Sequence, residues 1–118
     1  MSVLSIYQVE FFVKNLYGKM KSVKTINPCL SGYIITYRSL DRLNSLILKL
    51  EKILNGEQPS VSGFTESNYY ISTTQSEVKI YTDGDAWLDN PSIQPDFKLP
   101  TSDFKVIMEA WRDYLVSR

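Results

Sequence analysis

Leu40-Asp41-Arg42-Leu43-Asn44-Ser45-Leu46-Ile47-Leu48-Lys49-Leu50-Glu51-Lys52-Ile53-Leu54 is the stretch whose reading decides the fold. Leu40, Leu43, Ile47, Leu50 and Leu54 recur at helical spacing, and Leu46 and Ile53 widen the same apolar stripe. Ser39 stands where an N-cap belongs. Asp41 falls in the first turn, with Lys49 and Lys52 near the end, the charge order that a helix dipole favours. Asn55-Gly56 supplies the stop. A helix with one apolar face must bury it against another layer, and the flanking segments predict that this layer is a sheet.

Downstream, residues 57–66 read as a loop. Asn68–Thr74 and Glu77–Thr82 then form a hairpin candidate around Gln75-Ser76, with Val78 and Ile80 on one face and Glu77, Lys79 and Tyr81 on the other. Residues 83–100 hold three prolines and no periodicity, which predicts a long ordered loop. Thr101 is placed to cap a last helix, with Pro100 before it and Asp103 in its first turn. Phe104, Ile107, Met108, Trp111 and Leu115 make its buried stripe, and Lys105–Glu109 is a favourable i, i+4 pair. Upstream, alternation over residues 3–13 predicts a strand with Tyr7, Val9, Phe11 and Val13 on one face. A second strand fits within 19–26, and the β-branched and aromatic run Tyr33–Arg38 predicts a third. The expected fold is α+β: an antiparallel sheet of about four to five strands with two amphipathic helices packed on it, in one domain spanning 1–118.

Composition narrows the chemistry. At 118 residues, 43% hydrophobic and 22% charged, the chain is long enough for a core without disulfide or metal staples. Its single cysteine, Cys29, has no partner for an internal disulfide, which fits a reducing cytoplasm. There is no histidine, so no Ser-His or Cys-His pair and no His-based metal site can form. Cys29 therefore reads as a buried or incidental thiol. No Gly-rich phosphate loop is present. The N-terminal residues carry no basic, apolar signal pattern, and no run has the length of a membrane span. The expectation is a cytoplasmic protein that is not an enzyme, needs no cofactor or metal and does not engage a membrane.

The zero net charge conceals a sorting of charge. Residues 57–103 carry eight acids against two bases, whereas residues 1–55 carry eight bases against three acids. The acids are densest in Tyr81-Thr82-Asp83-Gly84-Asp85-Ala86-Trp87-Leu88-Asp89-Asn90-Pro91. Calcium binding is disfavoured there, because the fifth and sixth positions of a calcium loop counted from Asp83 hold Trp87 and Leu88. An acidic cluster with an aromatic anchor suits a surface that meets a basic partner. The candidate partner-binding residues are Glu66, Glu77, Tyr81, Asp83, Asp85, Trp87 and Asp89. Trp87 has a second reading, as a plug at the edge of the core. The alternative functional segment is Lys14–Lys24, whose lysines 14, 19, 21 and 24, with Tyr7 and Tyr17, could contact nucleic acid in a small regulatory protein. A solvated lysine-rich hairpin edge is the favoured account of them, because the neutral net charge disfavours nucleic acid.

The C-terminal stretch Phe97-Lys98-Leu99-Pro100-Thr101-Ser102-Asp103-Phe104-Lys105-Val106-Ile107-Met108-Glu109-Ala110-Trp111-Arg112-Asp113-Tyr114-Leu115 resembles the ending of many small bacterial immunity proteins. Those proteins end in a strand or loop, a Leu-Pro, a capped turn, and a helix carrying a Trp and a final aromatic-Leu. The group includes immunity proteins of contact-dependent growth inhibition and related polymorphic toxin systems, in which the protein is encoded beside a toxin and blocks it inside the producing cell. The matching residues are fold determinants and assign no toxin contact. The resemblance implies a cognate toxin domain as partner; with the acidic cluster, the expected target is a nuclease, whose cleft must be basic to hold phosphate. The neutral net charge departs from the group, many of whose members are acidic overall.

Overall fold

The computed structural model describes residues 2–15, 17–64 and 68–117. Along the chain run α1 (Val3–Ile6), β1 (Glu10–Asn15), β2 (Lys19–Lys24), α2 (Pro28–Ile35), α3 (Leu40–Leu54), β3 (Ser60–Phe64), β4 (Tyr70–Thr74), β5 (Glu77–Tyr81), α4 (Gly84–Asp89), β6 (Phe97–Pro100) and α5 (Thr101–Val116). The fold is α+β, with two antiparallel sheets: a two-stranded ribbon β1-β2 and a four-stranded sheet in the order β3-β4-β5-β6.

Register divides the larger sheet into two unlike faces. Ile71 pairs with Ile80 and Ile80 with Phe97, while Thr73 pairs with Val78 and Val78 with Leu99. These residues face the helices, and Ile71, Val78, Ile80 and Leu99 join Leu43, Leu50, Phe104, Ile107, Met108 and Trp111 in one core. The alternate residues face away: Ser72, Lys79 and Lys98 in one row, and Tyr70 beside Tyr81 in another. The alternation expected for β5 is thus the one observed.

The helix that fixes the architecture, α3, has the expected bounds. The Ser39 hydroxyl accepts from the Arg42 N–H, and Leu43, Leu46, Ile47, Leu50 and Ile53 are buried. In α5, Phe104, Ile107, Met108 and Trp111 are fully buried and Leu115 partly so. The Trp111 indole N–H donates to the Tyr37 carbonyl at 2.8 Å, so this polar atom has a partner in the core. Lys105 and Glu109 make the anticipated ion pair at 3.3 Å.

Four local expectations are corrected. Residues 3–13 are not one strand: the Ser2 hydroxyl caps a short α1, and Gln8, at φ +52°, breaks the chain before β1 starts. Tyr33–Arg38 is not a strand. The Asn27 side chain accepts from the Cys29 N–H at 2.8 Å and Pro28 opens α2, so Leu30, Tyr33 and Ile34 are buried at helical spacing despite their β propensity. Within 57–66, Ser60–Phe64 pairs with β4 as an edge strand. Thr101 does not cap α5; its hydroxyl donates to the Thr74 carbonyl at 2.7 Å, tying the helix start to the hairpin, and Pro100 takes the cap position without a side-chain bond.

Gly32 in α2 answers to a close approach, since a Cβ there would stand 2.1 Å from the Tyr69 hydroxyl. At the far end of the molecule the ribbon lies on α5. Phe11 stacks on Tyr114 with centroids 5.0 Å apart, and the Lys21 ammonium donates to the Tyr114 carbonyl at 2.7 Å, the Leu115 carbonyl at 3.2 Å and the Ser117 carbonyl. Lys21 thereby caps the C-terminal end of α5, where orphan carbonyls and the helix dipole favour a cation. No helix among the described residues is long and apolar enough to cross a membrane.

Candidate functional site

Residues 83–100 depart from the loop expectation at the site itself. Asp83 leaves β5 in extended backbone, and its Oδ1 accepts from the N–H groups of Asp85 and Ala86 at 3.0 and 3.1 Å. That is N-cap geometry, and it starts α4, with Asp85 in the first turn where the dipole favours a carboxylate. Asn68, two residues before β4 begins, braces the same turn. It adopts a left-handed backbone (φ +65°), which asparagine tolerates, and its carbonyl accepts from the Gly84 N–H at 2.8 Å. Its side-chain amide lies 3.5 Å from both Asp83 and Asp85. Further on, Asp96 Oδ2 accepts from the Thr82 N–H at 2.7 Å and the Thr82 hydroxyl at 2.9 Å, which closes the return to β6.

The short helix is fastened to the outer face of the sheet by aromatics. The Trp87 indole stacks on Tyr70 with centroids 3.7 Å apart and planes at 17°, and Tyr70 packs against Tyr81 at 5.9 Å. Tyr70 and Tyr81 are buried, and Trp87 is half-buried. Burial, with Tyr70 and Glu77 nearby, raises the Tyr81 hydroxyl above its ordinary pKa. Of the two readings of Trp87, the geometry gives it a packing role on the sheet; its remaining exposure leaves an edge accessible.

The expected site residues therefore separate. Asp83, Asp85, Trp87 and Asp89 sit together on α4 and its cap, with Tyr81 beneath. Asp83 is occupied by backbone N–H groups, whereas Asp85 and Asp89 project from an exposed surface. Glu77 starts β5 at its opposite end, about 13 Å from Tyr81 at strand rise. It pairs with Lys79 at 3.7 Å and lies at the other end of β5 from the carboxylates of α4, although its charge still acts on the Tyr81 hydroxyl along the same face. Glu66 lies outside the described residues. Three further residues belong to the site without a signal in the charge pattern: Leu88, 58% exposed between the two projecting carboxylates, and Asn68 and Tyr70, which hold the helix in place. Asp83 two residues before Asp85-Ala86-Trp87-Leu88 is a helix start, a signal outweighed by the nearby prolines.

The basic segment is reduced by the same kind of accounting. Lys21 is spent on α5, and Lys24 faces Glu10 across the ribbon, leaving Lys14 and Lys19 near the turn with a wholly exposed Tyr17. Cys29 is buried beneath the sheet, and burial, followed by the nearby Asp96, pushes its thiol up to about 12, which keeps it protonated and unreactive at neutral pH. No family model matches this chain, and no curated protein and no solved structure matches it significantly.

Proposed function

We propose that this chain is a cytoplasmic immunity protein that neutralises a cognate toxin domain, a nuclease, by setting the surface of α4 against the toxin's basic cleft. One observation carries the reading. Leu88 is displayed between Asp85 and Asp89 on a helix held at its start by Asp83 and Asn68 and at its middle by the Trp87–Tyr70 stack. A rigid acidic prominence with an apolar tip loses little conformational freedom on binding. Its carboxylates steer it toward a phosphate-binding cleft, and Leu88 supplies contact area that is desolvated there. The resemblance of the C-terminal stretch to immunity proteins supports the same reading. Asp83 and Tyr81 act here as positioning residues, and Asp85, Leu88 and Asp89, with the edge of Trp87, as the contact.

The test pairs the chain with the toxin domain of an adjacent reading frame. Co-production should restore growth, and the purified pair should bind with an affinity that falls as salt rises. Asp85→Lys with Asp89→Lys should abolish both effects, while the remote pair Glu51→Lys with Asp113→Lys should retain them. Undiminished protection by the first variant, or a neighbouring domain without toxicity, would overturn the proposal. Salt-sensitive binding to nucleic acid alone, lost in Lys14→Glu with Lys19→Glu, would transfer the function to the ribbon.

A further inference from the structure

Strand β1 is the outer strand of the ribbon: β2 lies on one side of it, and among the described residues no strand lies on the other. All of its residues but Phe11 are exposed, with Phe12 at 37% and Val13 at 47%. Three hydrogen bonds tell which of its backbone groups look outward. Opposite residues in an antiparallel pair alternate between exchanging backbone bonds and turning their N–H and C=O groups away from each other. The Lys21 carbonyl accepts from the Arg38 guanidinium, the Thr25 N–H donates to the Ser31 hydroxyl, and the Val9 N–H donates to the Leu4 carbonyl. All three residues belong to the odd-numbered set, and all three turn away from the neighbouring strand. Phe11 pairs with Val23 and Val13 with Lys21, so the N–H and C=O groups of Phe11 and Val13 face the free edge, while Glu10, Phe12 and Lys14 bond to β2. Among the described residues no donor or acceptor meets these outward groups.

Such an edge is a template for another strand, and β1 lacks two of the usual protections: its register runs without a bulge and it holds no proline. The side chains select which strand. Phe11 packs on Tyr114, so Glu10, Phe12 and Lys14 share the face turned away from α5, with the two charges spaced symmetrically about Phe12. We propose that a second copy of this chain docks here, β1 against β1, antiparallel about a twofold axis at Phe12. Phe11 of each copy then exchanges both backbone bonds with Val13 of the other, which satisfies every outward group of these residues. Phe12 meets Phe12 at a non-hydrogen-bonded position, where Cα atoms come to about 4.5 Å and side chains are closest. Glu10 of each copy stands at the same kind of position opposite Lys14 of the other. Within its own chain Glu10 faces Lys24 at the wider, hydrogen-bonded position, and neither Glu10 nor Lys14 makes an ion pair among the described residues. A shift of two residues in either direction sets Phe12 against Glu10 or against Lys14 and leaves the charges unpaired. The charges thus select one register, and the two ribbons join into a four-stranded sheet.

The test is sedimentation equilibrium of the full chain at concentrations up to about 1 mM, a range that covers weak, strand-sized contacts. The unaltered chain should pass from one to two chains per particle. Lys14→Glu sets a carboxylate against Glu10 of the other copy and should weaken self-association roughly tenfold or more, and Glu10→Lys should do the same. Mixed together, the two single variants should associate with each other as tightly as the unaltered chain does with itself, because every facing pair is again of opposite sign. Amide exchange supplies a second readout: Phe11 and Val13 should slow as concentration rises, and Phe12 and Lys14, already bonded to β2, should change far less. A chain that stays monomeric throughout, leaving the edge to a strand of some other protein, would overturn the proposal. So would self-association untouched by Lys14→Glu, or single variants that do not associate when mixed. Should either variant fail to fold, the exchange pattern of the unaltered chain decides: slowing at Phe12 and Lys14 without slowing at Phe11 and Val13 rejects the pairing. None of these readouts depends on α4, so the two proposals stand or fall separately.

Discussion

The indole of Trp87 lies nearly parallel to the ring of Tyr70, 3.7 Å from it, and through this stack a six-residue helix is joined to the sheet. So short a helix has almost no stability of its own. Trp87→Ala should therefore cost about 1–3 kcal/mol in urea unfolding, with Trp111 as the fluorescent reporter, and Trp87→Phe should recover part of the loss. A neutral Trp87→Ala would mean that α4 is held by its cap alone.

The acids of this segment should divide by role. Asp83→Ala removes the acceptor of two backbone N–H groups and should cost about 1 kcal/mol, with Asp83→Asn retaining most of it. Asp89→Ala touches no such bond and should stay within about 0.5 kcal/mol. Urea midpoints, with amide exchange at Ala86, separate the two; equal effects would remove the distinction between positioning and display.

Lys21→Met keeps the aliphatic stem against Tyr114 and deletes the ammonium that bonds the last carbonyls of α5. We expect a loss of about 1 kcal/mol and faster amide exchange in the final turn, with Lys19→Met neutral. If the two substitutions behave alike, the ribbon is not tied to α5 through this group.

Stability should decline in alkali. A group that holds its proton more tightly in the folded chain contributes stability below its unfolded pKa and loses it as pH rises to the folded value. Burial and a 2.8 Å hydrogen bond to Asp103 push the Tyr7 hydroxyl from 10 up to about 12, and burial pushes the Cys29 thiol from 9 up to about 12. Tyr33, Tyr69 and Tyr81 are raised in the same direction. Urea midpoints should fall steadily from pH 9 to pH 12. In Tyr7→Phe the portion between 10 and 12 should flatten, and an unaltered slope would assign the loss to the other groups.

Where apolar periodicity is unbroken, the sequence was legible: α3 and α5 and the β4–β5 hairpin follow from Leu43–Ile47–Leu50, from Phe104–Ile107–Trp111 and from the Val78–Ile80 alternation. Reading failed where one signal was set against another. Tyr33-Ile34-Ile35 has the composition of a strand, yet the Asn27-Pro28 start and three buried positions at helical spacing make a helix. Ser60–Phe64 has no apolar alternation and becomes a strand only because β4 offers hydrogen bonds. At the site, the sequence located the acidic surface but could not tell a carboxylate that caps from one that projects. That depends on whether Asp83 turns back on its own helix, and Asp85 and Asp89 are what remain facing water.

The bond between Lys21 and the end of α5 spans more than ninety residues of chain. During synthesis the ribbon leaves the ribosome first, and Trp111, Tyr114 and the carbonyls that hold Lys21 follow more than ninety residues later. Phe11 has no ring to stack on, and the core has no lid, until that final helix is free. The ribbon and α5 therefore complete one another's packing, and neither finds its partner until both have been made.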